Sequence, residues 1–202
     1  SETVVCDLGV IAAAPRRMFL AGLGDLLAKF IAYLDWNLSR LVTGEQYCPA
    51  MAEAGLQSAR AALRAARRAA GDPADSVRTL TDAALTSGLA MQALGNSRCA
   101  ASAEHTIAHF WETAGAVGSE EHDLHGILAG AASRLVLAGY QRFYRGRGMR
   151  LPDRQERLAE LDREKPWGDT LEPGLAPYIE KITQEMGRKP YTGGVLAARL
   201  DA

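Results

Sequence analysis

The sequence predicts an all-α fold, a multi-helix bundle, on three observations. Apolar residues recur at helical spacing in segment after segment. Helix stops punctuate the chain at Gly71-Asp72-Pro73, Gly95 and Gly146-Arg147-Gly148. Only one short strand is suggested, Thr3-Val4-Val5-Cys6, and no second strand is found to pair with it.

The elements follow in order. From Asp25, the set Leu26, Leu27, Phe30, Ile31, Leu34 and Leu38 lines one helix face. Gly22 and Gly24 lie just upstream, where glycine in a helix interior costs about 1 kcal/mol. They mark a helix start or a close packing contact. A second helix runs from about Pro49 to Ala70, alanine-rich, and a third from about Asp75 to Leu94 behind an acidic or serine cap. Two more are expected near 101–114 and 123–145. Pro152 opens another short helix, a loop surrounds Lys165-Pro166-Trp167-Gly168, a helix follows near 174–187, and an apolar stretch lies around 195–200. Gly193-Gly194 reads as a plain turn.

The 202 residues suffice for one well-buried core, and the 48% hydrophobic and 23% charged content is that of a soluble globular protein. A net charge of -1 gives no global field to attract nucleic acid or an anionic membrane. Arg60, Arg64, Arg67 and Arg68 form a local basic stripe, read first as a solvated helix face and second as an anion-binding patch. Cys6, Cys48 and Cys99 are odd in number and far apart, with no C-x-x-C pair. Reduced thiols in a cytoplasm fit that pattern. No basic region with a long apolar core suggests a secretory signal, and no run approaches the about 20 apolar residues of a membrane span.

All four histidines, His105, His109, His122 and His125, fall in one window. His105 and His109 share a helix face one turn apart, a spacing at which two imidazoles can chelate one ion. The metalloprotease form is excluded, because Thr106 stands where its glutamate is required. Each histidine alone also reads as a satisfied polar group. Asp25 and Lys29 are one turn apart and could form a simple ion pair worth about 0.2–0.5 kcal/mol. Their helix looks buried, however, and a buried carboxylate needs a stronger partner, which a metal ion would supply. No nucleophile elbow, P-loop or G-x-G-x-x-G is found.

Four segments carry a resemblance. P-R-R-M-F-L-A-G-L-G-D-L-L-A-K-F (15–30), T-G-E-Q-Y-C (43–48), S-G-L-A-M-Q-A-L-G-N-S-R-C-A-A-S-A-E-H-T-I-A-H-F-W (87–111) and L-H-G-I-L-A-G (124–130) stand in this order. Over about residues 1–170 the chain resembles the C-terminal helical domain of sn-glycerol-1-phosphate dehydrogenases, within the iron-containing alcohol dehydrogenase and dehydroquinate synthase-like superfamily. The resemblance implies a divalent ion, zinc first and iron or nickel next, held by Asp25, His105 and His125. It implies Lys29 as a contact for an anionic or ketone-bearing substrate and His109 as a catalytic near-site residue; His122 is expected to be a loop residue without a role. Cys99 stands where the family has proline and Ser102 where it has glycine.

The implied activity is metal-assisted hydride transfer between NAD(P)H and a small ketone phosphate. The family's nucleotide-binding domain has no counterpart here, so NAD(P) would require a cofactor domain from another chain, or one missing from the sequence. The expected organisation is one helical metal-binding domain over 1–202, with an extended lead-in over 1–14 and a divergent tail over 170–202. Expected partners are a phosphorylated or polyol-type substrate and, through a face left without its domain, a second copy or a nucleotide-binding chain. The alternatives are a metal-dependent lyase or cyclase of the dehydroquinate synthase type, a divergent biosynthetic enzyme, and a non-catalytic helical binding protein.

Overall fold

A computed structural model describes residues 3–114 and 123–145. The chain divides into two compact units, residues 1–142 and 143–202, and the described residues lie in the first, except 143–145. The expectations for His122, for Gly146 onward, for the helices near 152 and 174–187, and for Gly193-Gly194 lie outside the described residues.

Among the described residues the fold is all-α: α1 Leu8–Ala12, α2 Arg16–Thr43, α3 Pro49–Arg68, α4 Pro73–Leu94, α5 Ala103–Ala114 and α6 His125–Arg145. The strand suggested at Thr3-Val4-Val5-Cys6 does not form. Those residues are exposed and non-helical, with no strand among the described residues to pair with. Within the lead-in, α1 forms because Asp7 Oδ1 accepts hydrogen bonds from the Gly9 and Val10 N–H groups.

The helix expected from Asp25 begins at Arg16 instead, with Gly22 and Gly24 inside it. Packing outweighs the propensity cost. A Cβ at Gly24 would lie 2.2 Å from the carbonyl oxygen of Gly126, and one at Gly126 would lie 2.0 Å from that of Ala21. Only hydrogen at these positions lets α2 and α6 touch backbone to backbone. Gly44 ends α2 and Gly95 ends α4, each in the left-handed conformation. The cap of α4 is Asp72 rather than a residue near 75: its side chain accepts from Asp75 N, and Pro73 occupies the first turn, where its missing N–H costs nothing.

Three apolar clusters make the core. Leu26 meets Ala62, Ala65, Leu80 and Ala83, joining α2, α3 and α4. Trp36 meets Ala52, Ala90, Cys99 and Ala100. Ala28, Ala108, Leu128 and Ala129 join α2, α5 and α6. Alanine is the shared device, since a side chain of one carbon keeps helices close without leaving voids. The arginines of α3 face solvent; Arg60 pairs with Glu53 and Arg68 with Asp75. The stripe is therefore a solvated face. Cys6, Cys48 and Cys99 are free. Among the described residues no helix is long and apolar enough to cross a membrane.

The glycine contacts yield a stability prediction. Gly126→Ala should destabilise the protein by about 1–3 kcal/mol or more, because backbone cannot yield as a flexible side chain can. Gly88→Ala in α4, where a Cβ meets nothing within 4 Å, should gain up to about 1 kcal/mol. Thermal denaturation of the two variants checks the opposite signs.

Candidate metal centre

The site is built where α2, α5 and α6 converge. Asp25 follows Gly24 on α2, and His125 precedes Gly126 on α6, so the glycine contact brings the two side chains to one place. The start of α5 is fixed independently. Asp35, on α2, accepts from the Ala103 N–H at 3.1 Å and from the Ser102 hydroxyl. Glu104 Oε1 accepts from the Ser102 N–H at 3.1 Å. These acceptors satisfy N–H groups that a helix N-terminus leaves open. His105 is thereby aimed at α2.

Asp25, His105 and His125 each offer a donor atom, and these atoms lie within 4.8 Å of one another. His105 Nε2 is 3.2 Å from Asp25 Oδ1. The rings of His105 and His125 are 5.1 Å apart, centroid to centroid. Lys29, 3% exposed, donates to the Asp25 carbonyl at 3.1 Å and to its Oδ2 at 3.0 Å. The ion pair expected from the i,i+4 spacing is present, but deep in the fold rather than on a solvated face. His109 is 64% exposed at the rim, stacked on His125 at 4.9 Å.

The donor set fits a small divalent ion. Ligands about 2.0–2.2 Å from a tetrahedral ion lie about 3.3 Å from each other, close to the Asp25–His105 separation. One carboxylate and two imidazoles are ligands such ions accept, and three protein ligands leave a position for substrate or water.

Two carboxylates escaped the sequence reading as members of this site. Glu104 is fully buried, and its Oε1 meets His105 Nδ1 at 2.9 Å while its Oε2 has no partner. Glu112 meets His109 Nδ1 at 2.9 Å through Oε2 and His125 Nδ1 at 2.8 Å through Oε1. The available signal for Glu112 was its spacing, three residues after His109 and seven after His105, which keeps all three on one helix face. Glu104 had no comparable signal, because adjacency in a helix does not imply a shared face. An open cleft of about 430 Å³ beside Trp36, Gln46 and Arg98 shares no lining residue with the cluster.

Charge follows geometry. Burial favours a neutral His105, but hydrogen bonds to Asp25 and Glu104 and their negative charges raise its pKa to about 9. Burial also opposes ionisation of Asp25, yet His105 and Lys29 hold its carboxyl well below the usual carboxylate range. Burial likewise opposes the Glu112 charge, and the His125 and His109 hydrogen bonds overcome it, lowering its pKa.

These features define a helical domain bearing a carboxylate and bis-imidazole cluster backed by further carboxylates. The relatives supply the family. The chain is 30% identical over 188 residues to the glycerol-1-phosphate dehydrogenase (NAD(P)+) of Geobacillus thermodenitrificans, covering 93% of this chain and 44% of that protein. It is 33% identical over 172 residues to the enzyme of that name from Bacillus subtilis, covering 84% and 44%. With the one from Sulfurisphaera tokodaii it is 37% identical over 133 residues, covering 66% and 37%. No protein-family model matches the chain. The chain is homologous to part of the glycerol-1-phosphate dehydrogenases, and it spans less than half the length of these relatives.

The raised His105 pKa makes metal-free stability depend on pH. A group with a raised folded pKa stabilises fully below its unfolded value, here about 6.5, and loses that contribution as pH rises through about 9. Denaturant midpoints of the metal-free protein should therefore fall between pH 6.5 and 9.5. His105→Gln should flatten that slope.

Proposed function

We propose that this chain is the metal-binding part of a glycerol-1-phosphate dehydrogenase-like oxidoreductase. The nucleotide-binding part would come from a separate polypeptide segment. The observation that carries the proposal is the Asp25, His105 and His125 cluster, with donor atoms within 4.8 Å, in a chain homologous to those dehydrogenases.

A divalent ion held there, zinc first and iron or nickel next, would supply Lewis acidity toward a substrate carbonyl or alkoxide oxygen. The remaining work falls to the protein. Asp25 offers Oδ1 while Lys29 holds Oδ2 and the adjacent carbonyl. An ammonium has three donors, so one is left to meet an oxygen of a small phosphorylated substrate such as dihydroxyacetone phosphate. His109 has Nδ1 engaged by Glu112, which leaves Nε2 at the rim to exchange a proton with a substrate hydroxyl. The fully buried Glu104 would close the space behind His105 to water.

Hydride would come from NAD(P)H bound to a separate domain. Association with that domain, or with a second copy, would use apolar surface, for which exposed side chains such as Val10, Met18, Leu135 and Leu137 are available.

Two measurements test the proposal. Purified protein offered Zn²⁺ should retain one ion per chain, and Asp25→Ala or His125→Ala should retain none by elemental analysis. Mixed with a matching nucleotide-binding chain, the wild type should oxidise NAD(P)H with dihydroxyacetone phosphate, and Lys29→Ala should raise KM or abolish turnover. Activity unchanged by Asp25→Ala would reject the metal role.

A further inference from the structure

The carboxylates behind the imidazoles have a geometry that ordinary surface ion pairing does not explain. Glu104 is fully buried on α5, and Oε1 bridges His105 Nδ1 and the Ser102 N–H. Its Oε2 is buried with no partner. An ionised carboxylate in that position is costly unless the groups around it require it. Glu112 has one oxygen on His125 Nδ1 and the other on His109 Nδ1, joining α5 to α6. In both cases the carboxylate meets Nδ1. His105 Nε2 is thereby turned to Asp25.

We propose that Glu104 and Glu112 are positioning residues: each takes the Nδ1–H of one imidazole ligand, leaving Nε2 of His105 and of His125 for the ion, and Glu112 ties His109 to that same frame. The inference rests on the metal role assigned to Asp25, His105 and His125 above. The physical reason is tautomer control. A neutral imidazole carries one N–H, and only the other nitrogen can bind a metal. A carboxylate at Nδ1 selects the tautomer, fixes the ring and increases its donor strength. Glu112 does this for His125 and sets the orientation of His109 at the same time. Movement of the ligand ring and of the rim histidine is then correlated through one side chain.

Cobalt(II) binding to the full chain tests this, with affinity and visible d–d absorption as readouts and far-ultraviolet circular dichroism to verify folding. Glu112 is 30% exposed in its side chain, so its substitution leaves the core intact. Glu112→Ala should weaken Co²⁺ binding about 10–100-fold and alter the d–d bands. Glu112→Gln has one acceptor oxygen for two rings and should fall between Glu112→Ala and the wild type. Glu104→Gln, which keeps the shape and removes the charge, should also weaken binding. Glu53→Gln, on the exposed surface of α3, removes a charge elsewhere and should change nothing.

Wild-type affinity and spectrum in Glu112→Ala and Glu104→Gln, with binding lost in Asp25→Ala, would overturn the positioning role and leave the metal site standing. Equal Co²⁺ binding by wild type and Asp25→Ala would instead overturn the metal site, and the positioning role with it.

Discussion

The backbone contact between α2 and α6 is the constraint on which the site depends. Gly24 and Gly126 touch with no Cβ between them, and a Cβ at Gly130 would lie 3.0 Å from Gly24 Cα. Asp25 and His125 are the residues next to those glycines. A helix crossing one side chain wider would separate the carboxylate from the imidazole by several ångströms. The small residues of the third cluster, Ala28, Ala108 and Ala129, keep α5 equally near. Close packing here is what sets the distance between donor groups, and the donors have no freedom to choose it.

A second polar assembly holds the start of α5. Arg98 grips Glu45 with two hydrogen bonds of 2.9 and 3.1 Å and also reaches the Ser102 hydroxyl. Trp36, almost fully buried, donates its indole N–H to the Gln46 carbonyl and meets Tyr47 edge-on. Tyr140 on α6 donates to Asp35. The turn after α2 and the turn before α5 are thus bracketed together. Ser102 takes part through a hydroxyl that glycine would lack, and the Cys99 carbonyl packs where Gly55 has no Cβ. The segments T-G-E-Q-Y-C and S-R-C-A-A-S act as scaffold: they orient α5, and α5 orients its histidines.

Much of this was legible in the sequence. Helical periodicity, Gly95 as a stop and Pro49 as a start place α3 and α4 nearly where they stand. The pairing of Asp25 with His105 came from resemblance, because no local rule links residues eighty positions apart. Gly22 and Gly24 read as a helix start or a close packing contact, and at Gly24 the second holds; the helix start lies upstream, because the partner that rewards Gly24, Gly126, is a hundred residues on and invisible to propensity. Local rules failed at Glu104, whose value depends on burial that a single sequence does not display. Isolated strand propensity misled at Val4 and Val5, which have nothing to pair with among the described residues.

Lys29 has one more consequence. Its ammonium occupies Asp25 Oδ2, so a single oxygen of that carboxylate faces the imidazoles. Calcium-sized cations gather about six to eight oxygens and favour carboxylates that grip with both. A one-toothed aspartate among nitrogen donors offers them a poor coordination shell. With Oδ2 held by the buried lysine, an ion at the proposed site would find one free oxygen on Asp25, a geometry that suits small, nitrogen-accepting cations better than large, oxygen-seeking ones.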